Sequence, residues 1–377
     1  MAHSKVIKDL KVLQIVPQIK FGGVERGVLD TFRYLREKKI NTFIFCEKIN
    51  LDLVKSLELK FIYQTNNLSF KDFRNYFKLN TLLKKIIDEN SINLIHISSR
   101  APALMFYRQI KSLSGIKYIT SFHNPYQGSF IKKYYNSFLL KGDLVLANSV
   151  FTKNYIIKNY ESNRKIFSVP RGIDLNYFNP FNFKKNHRNK LRKKFNILQH
   201  ETVILVPSRF SKWKGHSELI SLFNHTDSLL LNNIKLVFFI DASADNKKKY
   251  ILHLCKKVLS KKILFIPYTK NIAEVYSITD IVISNSLKPE GFGRTISEAL
   301  AMNVIALGNN IGGVREQLYK FDRKLLYDAK NQLSFNKAFQ YGLKLKNENN
   351  FNGRDYVKKY YSLNQMLEKT LDCYLNK

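Results

Sequence analysis

The chain has 377 residues, beyond the roughly 250 to 300 at which a single hydrophobic core stops growing, so two domains are expected. With 45% apolar and 13% aromatic residues and no low-complexity run, it has enough to bury and is not a disordered or fibrous chain. Lys and Arg number 63 against 29 acidic residues, a formal charge of +34; this predicts attraction to nucleic acid, an anionic membrane or phosphorylated substrates, although the Lys, Asn and Ile excess of an AT-rich genome gives the same sign.

At the N-terminus Lys8, Asp9, Lys11 and Gln14 interrupt the apolar residues, so no signal-peptide core is expected, and no uncharged apolar run approaches the roughly 18 residues of a membrane span. Short β-rich runs then alternate with helical patterns: Val12–Val16, Thr42–Phe45, Leu94–Ile97, Tyr118–Thr120 and Leu144–Ala147 read as strands. Between the first two, Val24, Val28, Leu29, Phe32 and Leu35 recur at helical spacing and leave Arg26, Arg33 and Arg36 for solvent. Lys184–Lys194, charged and following Asn179-Pro180, reads as a linker. The pattern restarts with Val203–Val206, Leu236–Ile240, Ile263–Ile266 and Ile281–Ile283. Such alternation predicts an α/β protein of two doubly wound Rossmann-like domains, each a parallel sheet with helices on both faces. Sheets of this kind bind ligands beyond the carboxyl ends of their strands, so an interdomain cleft is the expected site. Cys46, Cys255 and Cys373 are odd in number and widely spaced, which suggests neither disulfides nor a zinc site and fits a cytoplasmic setting.

Three segments carry chemistry. Pro289 to Leu300 follows a strand and opens a helix: its glycines, Gly291 and Gly293, let a backbone approach a ligand, helix-start amides suit an anion, and Glu290 and Glu298 bracket the turn. Ser208 to His216 leaves the first strand of the second domain with Arg209, a planar fork, and Lys214, a point charge, a pairing suited to a diphosphate. Phe21 to Gly27 joins the first strand to the first helix with a Gly22-Gly23 turn; it lacks the G-x-G-x-x-G spacing, which disfavours a dinucleotide cofactor.

From about residue 11 to about residue 318 these segments resemble the family 4 (group 1) retaining glycosyltransferases of the GT-B fold. The E-x₇-E element matches at Glu290 and Glu298, the R-x₄-K-G element at Arg209, Lys214 and Gly215, and the glycine pair at Gly22 and Gly23. Further matches are Ser121-Phe122-His123, Ala147-Asn148-Ser149, Pro170-Arg171-Gly172-Ile173-Asp174 and Gly312-Gly313-Val314-Arg315-Glu316. Gly22 to Gly27, Ser99 to Pro102 and Trp213 to Gly215 further resemble a bacterial subgroup associated with lipopolysaccharide assembly. The resemblance implies a nucleotide-sugar donor held mainly by the second domain and a glycan or lipid-linked acceptor entering from the first. It assigns the ribose hydroxyls to Glu298, the phosphate and sugar to the backbone of Gly291, Phe292, Gly293, Arg294 and Thr295, the leaving diphosphate to Arg209 and Lys214, and the sugar hydroxyls to Glu290. Gly22 and Gly23 also count as donor contacts, and His123 joins Glu290, Arg209 and Lys214 near the reacting centre.

No D-x-D pair is present, so no metal and no cofactor are expected, the nucleotide sugar being a co-substrate. Where the family commonly has Gly-x-Pro, this chain reads Asn303-Val304-Ile305, and Asn tolerates the left-handed helix end required there. The expected domains are 1–183, 184–355 and a closing helix, 356–377, crossing back to the first. Phe130–Lys141 mixes lysines with aromatics, which suits either a core-facing helix or one resting on an anionic membrane surface. Alternatives on the same architecture are a nucleotide-sugar epimerase, a pyridoxal-phosphate phosphorylase or a non-catalytic polyanion-binding protein; the complete residue set argues against the last, and nucleic acid is not an expected partner.

Overall fold

A computed structural model describes residues 9–20, 22–54, 59–126, 128–160, 164–240, 245–348 and 351–375. Phe21, the first residue of the glycine-turn segment, and Lys8 lie outside them. The chain divides into two compact units, Met1–Arg171 with Asn364–Lys377, and Gly172–Leu363.

The first unit is built on strands β1 (Lys11–Ile15), β2 (Asn41–Cys46), β3 (Ile62–Gln64), β4 (Leu94–Ile97), β5 (Lys117–Phe122), β6 (Leu144–Ala147) and β7 (Lys165–Ser168). They pair in parallel in the order β3-β2-β1-β4-β5-β6-β7, with Val12 opposite Leu94 and Ile15 opposite Ile97. Covered on both faces, β4 and β6 are buried at every residue, which is why they read as continuous apolar runs. Helix α1 (Gly23–Glu37) buries Val28, Leu29, Phe32 and Leu35; Arg33 is exposed and Arg36 lies over the Phe61 ring, 3.9 Å from its centroid. Helices α2 (Phe130–Ser137) and α3 (Val150–Asn159) flank β6 in the chain.

The first α-helix of the second unit is α4 (Lys185–Lys194), where the sequence reading expected a linker over Lys184–Lys194. Seven of its ten residues are Lys, Arg or Leu, which favour helix, and none is β-branched; Arg192 anchors it by donating to the carbonyls of Leu198 and Glu201 at 2.6 and 2.7 Å. Its sheet comprises β8 (Thr202–Val206), β9 (Ile234–Ile240), β10 (Ile263–Pro267), β11 (Ile281–Ser284), β12 (Ile305–Asn309) and β13 (Leu326–Tyr327), parallel in the order β10-β9-β8-β11-β12-β13. Helices α5 (His216–Asn224), α6 (Arg294–Ala301), α7 (Gly312–Phe321) and α8 (Gly353–Tyr360) complete the elements that matter below. Asn303 does take the left-handed conformation, at φ 53, and its side chain accepts the Arg354 amide at 2.9 Å.

The division between units falls at Arg171/Gly172 rather than at 183/184. Ile173 exchanges backbone bonds with Tyr361 and Leu363 at 2.8 and 2.9 Å, and Arg354 donates to the carbonyls of Leu175 and Phe178, so the segment after Gly172 is satisfied by the second unit. The closing segment is not one helix: α8 ends at Tyr360, a bridge between Ile173 and Ser362 interrupts it, and α9 (Leu363–Leu375) follows. Within the first unit, Lys117 Nζ donates to the Cys373 and Tyr374 carbonyls at 3.0 Å each, placing a cation at the C-terminus of α9.

Candidate active site

In each sheet the strand order reverses beside the first strand, between β1 and β4 and between β8 and β11. Loops diverge at such a point and leave polar groups exposed beyond the carboxyl ends of the strands.

In the second unit the loop after β8 runs through a short turn, Lys212–Lys214, to Gly215, whose φ of 68 closes it against the loop after β11. A Cβ on Gly215 would lie 2.4 Å from the Asn285 carbonyl oxygen. Asn285 ties the two loops together, donating to the Gly215 carbonyl at 2.6 Å and accepting from Tyr327 Oη at 2.7 Å. This places Lys214 Nζ 2.7 Å from Glu290 Oε1, which Ser286 Oγ also reaches. Lys214 further lies over the Trp213 ring, 4.2 Å from its centroid. The backbone of Glu290 is clamped by α7: the Gly313 amide donates to its carbonyl at 2.9 Å, and Gly312, at φ 62, lies against its backbone, where a Cβ would come within 2.8 Å of the carbonyl oxygen.

The glycine-rich turn then enters α6 through Gly293, at φ 83, which only glycine adopts readily. Gln317 accepts from Ser297 and donates to the Phe292 carbonyl, fixing the turn from beneath. The Phe292 ring is buried against Tyr361, at 5.3 Å, so at this position only the backbone is available to a ligand. Glu298, also buried, receives Arg294 Nε on Oε1 at 3.2 Å and Tyr276 Oη on Oε2 at 3.3 Å. A carboxylate has about four lone-pair sites, so capacity remains for further donors. Burial, with Glu298 beside it, pushes the Tyr276 hydroxyl well above its usual range, so it stays a donor. Arg209 is exposed, and no described residue pairs with it. Thus the structure joins Lys214 to Glu290 and Arg294 to Glu298, and leaves Arg209 apart.

In the first unit His123 follows β5 directly and lines a cavity of about 30 Å³ with Gln14, His96, Asn148 and Arg171. That is room for about a water molecule. His96 is saturated, with Nδ1 2.6 Å from Tyr374 Oη and Nε2 2.6 Å from Ser121 Oγ, and burial lowers its pKa to about 3. His123 Nδ1 meets an Arg171 guanidinium nitrogen at 3.0 Å, and its carbonyl accepts from Asn148 Nδ2 at 2.7 Å. Burial first, then the Arg171 charge, hold its pKa well below the usual histidine value. Gln14 Nε2, His123 Nε2 and Asn148 Oδ1 are buried without a hydrogen-bond partner among the described residues. Gly27 sits inside α1, where glycine costs about 1 kcal/mol relative to alanine. The reason is spatial: a Cβ there would lie 2.1 Å from Arg171 Nη1. Gly22 precedes α1 in an extended conformation, at φ −94, and Gly23 is its first residue.

Some of these partners had no sequence signal. Asn285 and Ser286 share the loop after β11 while Tyr276 and Gln317 lie on helices before and after it, and no spacing marks them. Arg171 and Asn148 sit in recognisable motifs, but the motifs do not say that both hold His123.

Helix α2 exposes Phe130, Ile131 and Tyr134, at 84, 77 and 63%, beside exposed Lys132, Lys133 and Lys141. The core-facing alternative therefore fails at these residues; Phe138, Leu139 and Leu140, just beyond the helix, are the ones that turn inward. A groove of about 540 Å³ is lined by Phe130, Lys133, Lys141, Ile157, Lys158 and Arg164, among others. Among the described residues no helix is long and apolar enough to cross a membrane, and no cluster of three metal-ligating side chains forms.

Residues 187–359 match the family model described as glycosyl transferases group 1, and residues 21–177 the model described as glycosyltransferase family 4. The chain is similar to a glycosyltransferase from Rickettsia africae of known crystal structure, 30% identical, with 97% of each chain covered and a TM-score of 0.84. It is 28% identical over 247 residues to the lipopolysaccharide 1,2-N-acetylglucosaminetransferase of Salmonella typhimurium, covering 63% of this chain and 59% of that one. The chain spans about three fifths of the length of the curated relatives it matches. The fold is shared with the Anabaena protein HepE, crystallised with UDP and glucose, at 16% identity, a TM-score of 0.79 and coverage of 97 and 99%.

Proposed function

The chain belongs to the group 1 glycosyltransferases, and from that premise we propose that it moves a hexose-type sugar, with retention at the anomeric carbon and without a metal ion, from a nucleoside-diphosphate donor to a lipopolysaccharide-type glycan or glycolipid. The observation that carries this reading is the pair of carboxylates bracketing the glycine turn, one held by Lys214 and the other by Arg294, at the reversal point of the second sheet. Glu298 keeps accepting capacity for ribose hydroxyls, and the turn brings backbone amides at the start of α6 to the diphosphate. Lys214, drawn from Glu290 towards a diphosphate, offsets the charge that grows on the leaving oxygen, and exposed Arg209 adds a second cation. Glu290 is then released for sugar hydroxyls. In the first unit, Gly22, Gly23 and His123 are assigned to donor sugar and acceptor.

In the transfer step the acceptor oxygen bonds to the anomeric carbon as the bond from that carbon to the phosphate oxygen breaks. The acceptor proton passes to the departing phosphate, so no protein nucleophile is needed. A preorganised group that stabilises such developing charge is worth on the order of 100- to 1000-fold in rate. The absence of a D-x-D pair from the sequence and the presence of Lys214 support the metal-free reading. The names of the Salmonella and Anabaena proteins, an N-acetylglucosaminetransferase and a complex with UDP and glucose, support a nucleotide-sugar donor of this class. The basic, aromatic surface of α2 suits an anionic bilayer, and we assign to it peripheral contact with the inner face of the cytoplasmic membrane, where a lipid-linked acceptor resides.

The test is thermal stabilisation and slow hydrolysis across a panel of nucleotide sugars, comparing the native chain with Glu298→Ala. One donor is expected to stabilise the native protein and be hydrolysed, both effects being lost in the variant. A flat response to every donor overturns the transferase reading, and an epimerised donor formed without acceptor replaces transfer with epimerisation.

A further inference from the structure

We propose that Arg171 is a positioning residue: it fixes His123 as a neutral ring with its proton on Nε2, so that His123 serves the reaction as a hydrogen-bond donor and never as a base. A guanidinium has five donors and no acceptor. The nitrogen it meets, His123 Nδ1 at 3.0 Å, must therefore carry a lone pair. A neutral imidazole holds one proton, which leaves it on Nε2. Protonating the ring would set an N–H against an N–H and a cation against a cation.

The surroundings agree with that assignment. The other titratable groups lining the cavity are His96 and Arg171 itself, and no carboxylate lines it to stabilise an imidazolium. Burial first, then the charges of Arg171 and His96, lower the ring's pKa, and only the Ser98 backbone acts the other way. Among the described residues Nε2 has no hydrogen-bond partner, and neither have Gln14 Nε2 and Asn148 Oδ1, whose residues line the same cavity. A substrate group reaching Nε2 must then offer an oxygen lone pair, as a sugar hydroxyl or a carbonyl does.

Two other features make the arrangement specific. Asn148, just beyond the end of β6, holds the His123 backbone at 2.7 Å, so the residue is held at both its backbone and its ring. Gly27, on α1, keeps open the space that the guanidinium occupies, since a Cβ would come within 2.1 Å of Nη1. Gly27→Ala should favour the helix and still disturb His123, an outcome that a merely structural glycine would not give.

The inference rests on the transferase reading for what His123 touches, but its test does not. Full-length protein with ¹⁵N-labelled histidine is followed by long-range nitrogen–proton correlation from pH 5.5 to 8, with His123 assigned through His123→Gln. The native ring is expected to show protonated Nε2, bare Nδ1 and no titration. Arg171→Lys, which keeps a cationic donor, should retain the pattern. Arg171→Met and Gly27→Ala should give mixed tautomers and, with donor and acceptor, a lower kcat/KM, while burial still opposes protonation of the ring. A native ring protonated at Nδ1, a native ring titrating near 6.5, or Gly27→Ala and Arg171→Met rings identical to the native one would each overturn the proposal. A native Nε2–H ring in a protein that answers no nucleotide sugar would leave the positioning role standing and remove the transferase.

Discussion

Acidification offers a quantitative check on the buried histidines. His96 and His123 in the first unit and His216 in the second are all nearly inaccessible, and burial is the first cause of their lowered pKa values, about 3 for His96 and about 4 for His216. In the unfolded chain each ring titrates near 6.5, so below that pH the unfolded state binds protons that the native state refuses. Stability is therefore full above about 6.5 and falls as the pH drops towards the native values. At pH 5 the gap of about 1.5 units amounts to about 2 kcal/mol for each of His96 and His216 at 1.36 kcal/mol per unit. The first unit should lose about 2 kcal/mol through His96, with His123 acting in the same direction, and the second about 2 through His216, against typical stabilities of about 5–15 kcal/mol. Asp280 acts in the opposite sense, since burial raises its pKa, but it is a single group in the second unit. Urea unfolding at pH 7 and 5 would measure this, with circular dichroism following both units and the single tryptophan, Trp213, following the second. Repeating it in 0.5 M salt, where the Debye length is about 4 Å, suppresses repulsion from the +34 charge and leaves ring desolvation untouched. Equal stability at both pH values in salt, or a larger loss in the second unit than in the first, would refute the reasoning.

Gly313→Ala would place a Cβ 2.4 Å from the Phe292 carbonyl oxygen and 2.5 Å from its Cα, so the glycine turn must shift; thermal unfolding should show a loss of about 1–3 kcal/mol together with loss of stabilisation by a nucleotide sugar, and an unchanged variant would contradict the clamp on Glu290. Replacing Lys132, Lys133 and Lys141 by Gln should weaken binding to anionic liposomes by about 1 kcal/mol per charge near the surface, with neutral liposomes as control. Retained binding would remove the membrane assignment.

Strand positions were legible because a parallel strand covered on both faces must be a continuous apolar run, as in Leu94–Ile97 and Ile281–Ser284. The carboxylates of the glycine turn were legible for a related reason, since Glu290 and Glu298 lie on one local strand–turn–helix segment whose geometry depends on nearby glycines. The charged stretch Lys185–Lys194 misled because composition does not distinguish a solvated linker from an exposed helix held at one end by Arg192. β12 went unread because Ala306 and Gly308 dilute its apolar run, although it pairs with β11 from Ile281 opposite Ile305 onwards.

What lay beyond any reading of spacing is the set of partners that chain distance separates. Glycine in the middle of α1 looks like a defect until Arg171, far along the chain, fills the volume a Cβ would need. The motif marks His123, but not that the same guanidinium meets its Nδ1. Local patterns encode elements because periodicity is a property of neighbours. Protonation and hydrogen-bond roles depend on which groups meet across the sheet, and those meetings exist only once the strands are paired.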